Sequence, residues 1–188
     1  MEFNRRLLEL ARRLGLALDA AGVDYALGGA LAFGIWGEPR GTKDIDLATY
    51  VRKEELERVF STLQQTGAEV DRSACRWELE NWGHFEVDLE GIRVDVFLPD
   101  FPLYDWAHPR RRQIAVGESR LWFWAAEDIL LFKLLFFRAK DKLDIETLLK
   151  VQRRDLDLQY IRKALREIFQ DEERSEWLEH AVGEILGP

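Results

Sequence analysis

Between residues 84 and 98 apolar and polar side chains alternate with almost no exception. Phe85, Val87 and Leu89 interleave with His84, Glu86 and Asp88; Ile92, Val94, Val96 and Leu98 then interleave with Arg93, Asp95 and Phe97. A period of two is the signature of strands with one face on a core. The dipeptide Glu90-Gly91 between the two runs is a tight-turn signal, so the segment reads as a β-hairpin. The period-two reading extends back to Arg76 and covers Arg76–Leu98. Whatever else the chain builds must cover the apolar face of this hairpin.

The remainder supplies the cover. Phe3, Leu7, Leu10, Leu14 and Leu18 recur at spacings of three and four, the stripe of an amphipathic helix that Gly22 closes. Val23–Leu27 reads as a short strand ending at Gly28-Gly29, followed by a short helix from Ala30 to Trp36. Residues 38–42 are a Pro- and Gly-broken loop, Asp44–Tyr50 alternates as a strand, and Lys53–Thr66 is a second amphipathic helix. Pro99–Pro109 reads as an aromatic loop and Gln113–Val116 as an edge strand. Helical spacing then governs Ala125–Arg138, Leu143–Gln152, Leu158–Phe169 and Ser175–Leu186. This predicts an α/β (α+β) protein: a small mixed sheet with helices over residues 1–120, and a C-terminal helical region over 121–188 that completes the cleft.

Composition narrows the function. With Trp 7, Tyr 4 and Phe 11 in 188 residues, there is side-chain volume for a real core and no case for disorder. The lone Cys75 excludes an internal disulfide and a thiolate zinc site. A net charge of −8 repels phosphate backbones, so contact with RNA would need a local patch. Arg110-Arg111-Arg112 near Tyr104, Trp106 and His108 is the candidate patch, a solvated charge run the commoner explanation. The most apolar run, Ile129–Phe137, carries Lys133 at its centre and falls short of the ~20 residues a membrane span needs. Its beginning carries no secretory pattern, and a cytoplasmic protein without membrane contact is the expectation.

The chemistry concentrates in Leu27-Gly28-Gly29 and in Arg40-Gly41-Thr42-Lys43-Asp44-Ile45-Asp46. A strand sends Asp44 and Asp46 to one face while Ile45 and Leu47 go to the other. Two neighbouring carboxylates repel, and a divalent cation resolves the repulsion. Oxygen donors without thiolates or a histidine cluster favour Mg²⁺ or Mn²⁺. The second D-x-D, Asp155-Leu156-Asp157, lies in a helical pattern, where its carboxylates point about 200° apart and suit a solvated face. Asp95, on the polar face of the hairpin, is the third carboxylate and the natural general base; pairing with Arg93 or Arg76 is its alternative. Gly28-Gly29 permits close backbone approach to a phosphate, with helix-start amides as donors. His84 and His180 read as surface histidines, Trp122 and Trp124 as core between the two halves.

A strand ending in Gly-Gly, a short helix, R-x-T-x-D-I-D on the next strand and V-D-V on a later one together resemble the DNA polymerase beta-type nucleotidyltransferase superfamily. The spacing from Gly29 to Asp44 and the helical tail resemble its minimal bacterial, AbiEii toxin-like branch. The resemblance spans about residues 20–150. It implies a metal-dependent transfer of a nucleoside monophosphate from an NTP, with Asp44, Asp46 and Asp95 as metal-binding and catalytic residues. It implies nucleotide contacts from Gly28, Gly29, Arg40, Thr42 and Lys133, helped by Arg138 and Lys140 and oriented by Asp141 or Asp144. For Arg40 a salt bridge to Glu38 is the alternative. Many superfamily members carry Ser where this chain has Gly29, which leaves phosphate binding there to backbone amides. The acceptor implied is an RNA (tRNA included), a protein or a small-molecule hydroxyl, with a toxin–antitoxin setting and a cognate antitoxin partner for the branch. A catalytically idle fold serving as a binding or antitoxin module is the rival reading.

Overall fold

The computed structural model describes residues 2–187, with side chains from Arg5 onward. The side chain of Phe3, expected on the inward stripe, lies outside the described residues. Helix α1 (Glu2–Ala20) buries the rest of that stripe, with Leu7, Leu10, Leu14 and Leu18 each no more than 3% exposed. Each such leucine contributes about 1.5–3 kcal/mol. The chain continues through β1 (Tyr25–Leu27), α2 (Gly29–Trp36), β2 (Asp44–Thr49), α3 (Leu56–Gln65) and α4 (Arg72–Trp82). The hairpin follows as β3 (His84–Leu89) and β4 (Ile92–Phe97). Next come α5 (Pro102–Ala107), β5 (Arg112–Val116), β6 (Ser119–Phe123), α6 (Ala126–Phe136), α7 (Ala139–Gln152), α8 (Leu158–Ala164) and α9 (Glu172–Leu186).

The six strands form one mixed sheet in the order β3-β4-β2-β1-β6-β5. Pairs β2–β4 and β1–β6 are parallel, the others antiparallel. This is the α/β class with a mixed sheet that the alternating pattern predicts. The hairpin turn is as its dipeptide requires: Glu90 and Gly91 both take positive φ, 56° and 79°.

Four local readings change. Residues 72–82 form a helix, whereas period two is expected from Arg76. The Asp71 carboxylate caps it by accepting the N–H groups of Ser73 and Ala74, and Cys75 and Leu79, one turn apart, face inward. The aromatic loop contains α5, started by Pro102 at its first position. The sheet reaches Phe123, so helix begins only at Ala126. The helix expected over Ala125–Arg138 ends at Phe136, with Phe137 at φ 54°, and the next starts at Ala139 and not at Leu143, Asp141 accepting the Arg138 N–H at 3.1 Å. Asp157, half of the discarded D-x-D, caps α8 through the Tyr160 N–H, and Asp155 is exposed. Among the described residues, no helix is long and apolar enough to cross a membrane.

Candidate active site

Strands β2 and β4 run parallel in a register that sets Asp46 beside Asp95 and Asp44 beside Arg93. Period two puts all four side chains on one face, while Ile45, Leu47, Val94 and Val96 are fully buried beneath. Thr42 donates its hydroxyl to Asp44 Oδ1 at 2.5 Å, fixing that carboxylate.

The turn at the end of β1 lies against the same carboxylates. Gly29 has φ +51°, and a Cβ there would stand 1.7 Å from Asp46 Oδ2. The serine common at this position in the resembling superfamily would therefore collide with the site's own aspartate. Gly28 is held differently: its N–H donates to the Asp46 carbonyl at 2.9 Å, and a Cβ would stand 2.4 Å from the Trp124 ring. Its amide is thus occupied within the fold. The first turn of α2, beginning at Gly29, leaves the unpaired N–H groups that every helix start carries.

A cleft of about 470 Å³ opens over the carboxylates. Of the residues singled out from sequence, Gly29, Arg40, Thr42, Asp44, Asp46, Asp95 and Lys133 all line it, and Gly28 sits just outside. The cations facing the carboxylates come from α6, the α6–α7 link, α7 and the loop before β2. Lys133, 7% exposed, places Nζ 2.5 Å from Asp144 Oδ2 and 4.0 Å from Asp141 Oδ1. Arg40 reaches the same Asp144 oxygen at 3.2 Å, so its partner is Asp144 and not Glu38. Arg138 binds Asp141 at 2.6 Å, and Lys140 also lines the cleft. Asp141 thus holds Arg138, whereas Asp144 pairs with Lys133 and Arg40. An apolar wall of Tyr104, Trp124 and Phe132 completes the cleft, with Trp124 stacked on Phe132 at 3.9 Å.

Electrostatics make this face receptive to cations. Burial, then the Asp44 and Asp95 charges, push the Asp46 carboxyl up to about 6. Burial also raises Asp95, an effect that Arg93 opposes. Arg93 reaches Asp44 at 2.9 Å, Asp95 at 3.1 Å and Glu86 at 3.6 Å. One guanidinium therefore serves three carboxylates, and Asp46 has no ion pair among the described residues. Asp95 Oδ1 is buried and makes no hydrogen bond. A buried oxygen that lacks a hydrogen bond, within a set of hard oxygen donors, fits Mg²⁺ or Mn²⁺. Arg93 answers the sequence alternative for Asp95; Arg76 instead pairs with Glu57 at 2.6 Å. The sequence offered Arg93 only as a partner for Asp95; its contacts to Asp44 and Glu86 follow from the strand registers on either side.

The arginine run divides. Arg110 turns inward to Glu127 at 2.8 Å and Asp128 at 3.5 Å, and lies 3.8 Å from the Tyr160 ring centroid. Arg111 donates to the Tyr25 carbonyl at 2.8 Å and faces Asp24 at 3.5 Å. Arg112 is exposed. Trp124 is core, as expected, but also forms part of the cleft wall.

The sheet, its parallel β2–β4 pair and the surrounding helices make up the nucleotidyltransferase fold, by comparison with solved structures. The antibiotic-resistance factor ANT(2'')-Ia in solution is similar with a TM-score of 0.61 at 14% identity, covering 93% of this chain and 96% of that one. Its crystal structure in complex with adenylyl-2''-tobramycin gives 0.62 at 14% identity, over 86% and 97% of the two chains. An antigenic nucleotidyltransferase-like protein from Paracoccidioides brasiliensis gives 0.54 at 18% identity, over 96% and 97%. No family model matches the chain, and no curated protein matches it in sequence.

Proposed function

We propose that this chain is a divalent-metal-dependent nucleotidyltransferase that moves a nucleoside monophosphate from an NTP to an acceptor hydroxyl. The observation that carries the reading is a set of three carboxylates on adjacent strands facing cations across one cleft. Asp44, Asp46 and Asp95 would hold Mg²⁺ or Mn²⁺, which when bound supplies charge stabilisation to the triphosphate and acidifies the acceptor hydroxyl. Thr42 keeps Asp44 aimed. Asp95, raised by burial, accepts the acceptor proton. Lys133 and Arg40, held by Asp144, neutralise the phosphates, and the first turn of α2 beside Gly29 offers them backbone N–H groups. Gly28 serves by giving Trp124 room against the turn. In this reading residues 1–120 carry the carboxylates and Arg40, and 121–188 bring Lys133, Arg138 and Lys140.

For the acceptor, we favour a small-molecule hydroxyl. Two residues of the arginine run are committed to internal partners, and the net charge is −8, which speaks against a long RNA contact. The likeness to ANT(2'')-Ia, solved with an adenylylated tobramycin, points the same way. A tRNA acceptor, and a toxin–antitoxin setting with an antitoxin partner, rest on the AbiEii-like sequence motif. The complete carboxylate set speaks against the idle-fold reading.

The test is incubation with each α-labelled NTP and Mg²⁺, against a panel of amino-sugar antibiotics and total tRNA in parallel. Label should pass to one acceptor class and vanish in Asp44→Ala. Transfer that persists in Asp44→Ala, or no transfer and no nucleotide-induced change in melting temperature, would overturn the reading.

A further inference from the structure

Strand β3 brings to Asp95 two polar side chains that the proposed transfer leaves unused. The register sets Glu86 directly across from Asp95 on one side, as Asp46 is on the other. His84 precedes Glu86 by two residues, so the pleat returns it to the same face. There its ring stacks on Phe97 with centroids 5.1 Å apart. One donor atom from each of His84, Glu86 and Asp95 lies within 4.8 Å of the other two. Donors sharing an ion at about 2.1 Å stand no more than about 4.2 Å apart, so a small side-chain movement closes the set. Glu86, with 44% of its side chain exposed, is free to make it.

A second observation is independent of this clustering. Asp95 is 8% exposed, and its buried Oδ1 has no hydrogen-bond partner. Arg93 Nε stands 3.1 Å from that oxygen, off the hydrogen-bonding direction. A buried acceptor without a hydrogen bond is costly, and a cation adds to what the Arg93 ion pair alone supplies. Of the Arg93 contacts, the one to Glu86 is the longest, 3.6 Å against 2.9 Å to Asp44. Arg93 can therefore stay on Asp44 while Glu86 turns to an ion.

We propose that His84, Glu86 and Asp95 form a binding site for one borderline divalent cation, zinc foremost, on the opposite flank of Asp95 from Asp46. An imidazole with two carboxylates suits zinc better than magnesium, whose preference is for oxygen alone. Water fills the remaining coordination position. An ion here occupies the carboxylate that the proposed transfer needs for the acceptor proton, so it brakes that reaction. Binding itself does not depend on the transfer reading, and it is measured without nucleotide.

The experiment titrates the full chain with zinc chloride by calorimetry and with cobalt chloride by visible absorption. One equivalent should bind. His84→Ala and Glu86→Gln should each weaken it at least about tenfold, as loss of a ligand does. Asp46→Asn, which leaves all three ligands in place, should retain it. No binding, or affinity unchanged in both His84→Ala and Glu86→Gln, would overturn the proposal. So would loss in Asp46→Asn with retention in His84→Ala, which would assign the ion to the other flank.

Discussion

Gly29 and Asp46 lie so close that no side chain can be built between them: a Cβ on Gly29 would stand 1.7 Å from Asp46 Oδ2. The backbone there, at φ +51°, is also one that other residues adopt only with strain. Gly29→Ser should therefore cost about 1–3 kcal/mol of stability and displace the Asp46 carboxylate. Urea unfolding reads the first effect and Mn²⁺ affinity the second. A stable variant with unchanged Mn²⁺ binding would mean the turn relaxes freely.

Asp144 is the shared anion of Lys133 and Arg40, and its removal should be more damaging than that of an exposed aspartate. Asp144→Asn leaves the Lys133 ammonium, 7% exposed, with only Asp141 at 4.0 Å. A loss of about 3 kcal/mol is expected for breaking a buried pair. Asp155→Asn, at an exposed position, should change stability by less than about 0.5 kcal/mol and leave transfer intact. Chemical denaturation of both variants makes the comparison.

Asp46 gives a pH dependence whose sign is opposite to that of an ordinary salt-bridged aspartate. Its carboxyl, near 3.8 when unfolded, rises to about 6 in the fold. Between those values the folded chain holds a proton that the unfolded chain has released. Its contribution to stability is complete below about pH 4 and is lost as pH rises through 6. In EDTA, Asp46→Asn should flatten this part of the stability profile. A wild-type profile unaltered by the substitution would count against the raised value.

Arg110 is a tie between segments. Arg110→Ala strands Glu127 and Asp128, 8% and 0% exposed, without their cation and should cost about 2–4 kcal/mol. Arg112→Ala, on an exposed strand position, should be nearly neutral in thermal melting. Equal behaviour of the two would restore the arginine run as a surface patch.

Nucleotide with Mg²⁺ should stabilise the chain by about 2.7 kcal/mol at a hundred times its dissociation constant. EDTA should abolish the shift, and so should Asp44→Asn. A shift that is indifferent to EDTA would place nucleotide binding away from the carboxylates.

What the sequence made legible was local. Alternation fixed the hairpin and the shared face of Asp44 and Asp46, because period two is written into neighbouring residues. The short glycine turn could be read from spacing too; the Lys133–Asp144 contact could not, because the helix breaks at Phe137 between them. Long-range register could not: nothing near Asp46 in the chain says that Asp95 will stand beside it in a parallel pair. The helix at Arg72–Trp82 was masked because its boundary depends on the Asp71 cap, while its apolar residues are too sparse to announce a period. Arg110 and Arg111 looked like surface charge since their partners lie at Glu127, Asp128, Asp24 and the Tyr25 carbonyl, remote in sequence. The same holds for His84, whose nearness to Asp95 exists only across the β3–β4 pair.

Asp95 stands on the strand between β2 and β3, with one carboxylate at each shoulder. Substitutions on β3 reach it from one flank only and those on β2 from the other. A lineage could therefore remodel the outer flank and touch the inner one only through Arg93, changing what approaches Asp95 without rewriting what holds it. Separable flanks of this kind let one scaffold diversify by exchanging a single edge strand.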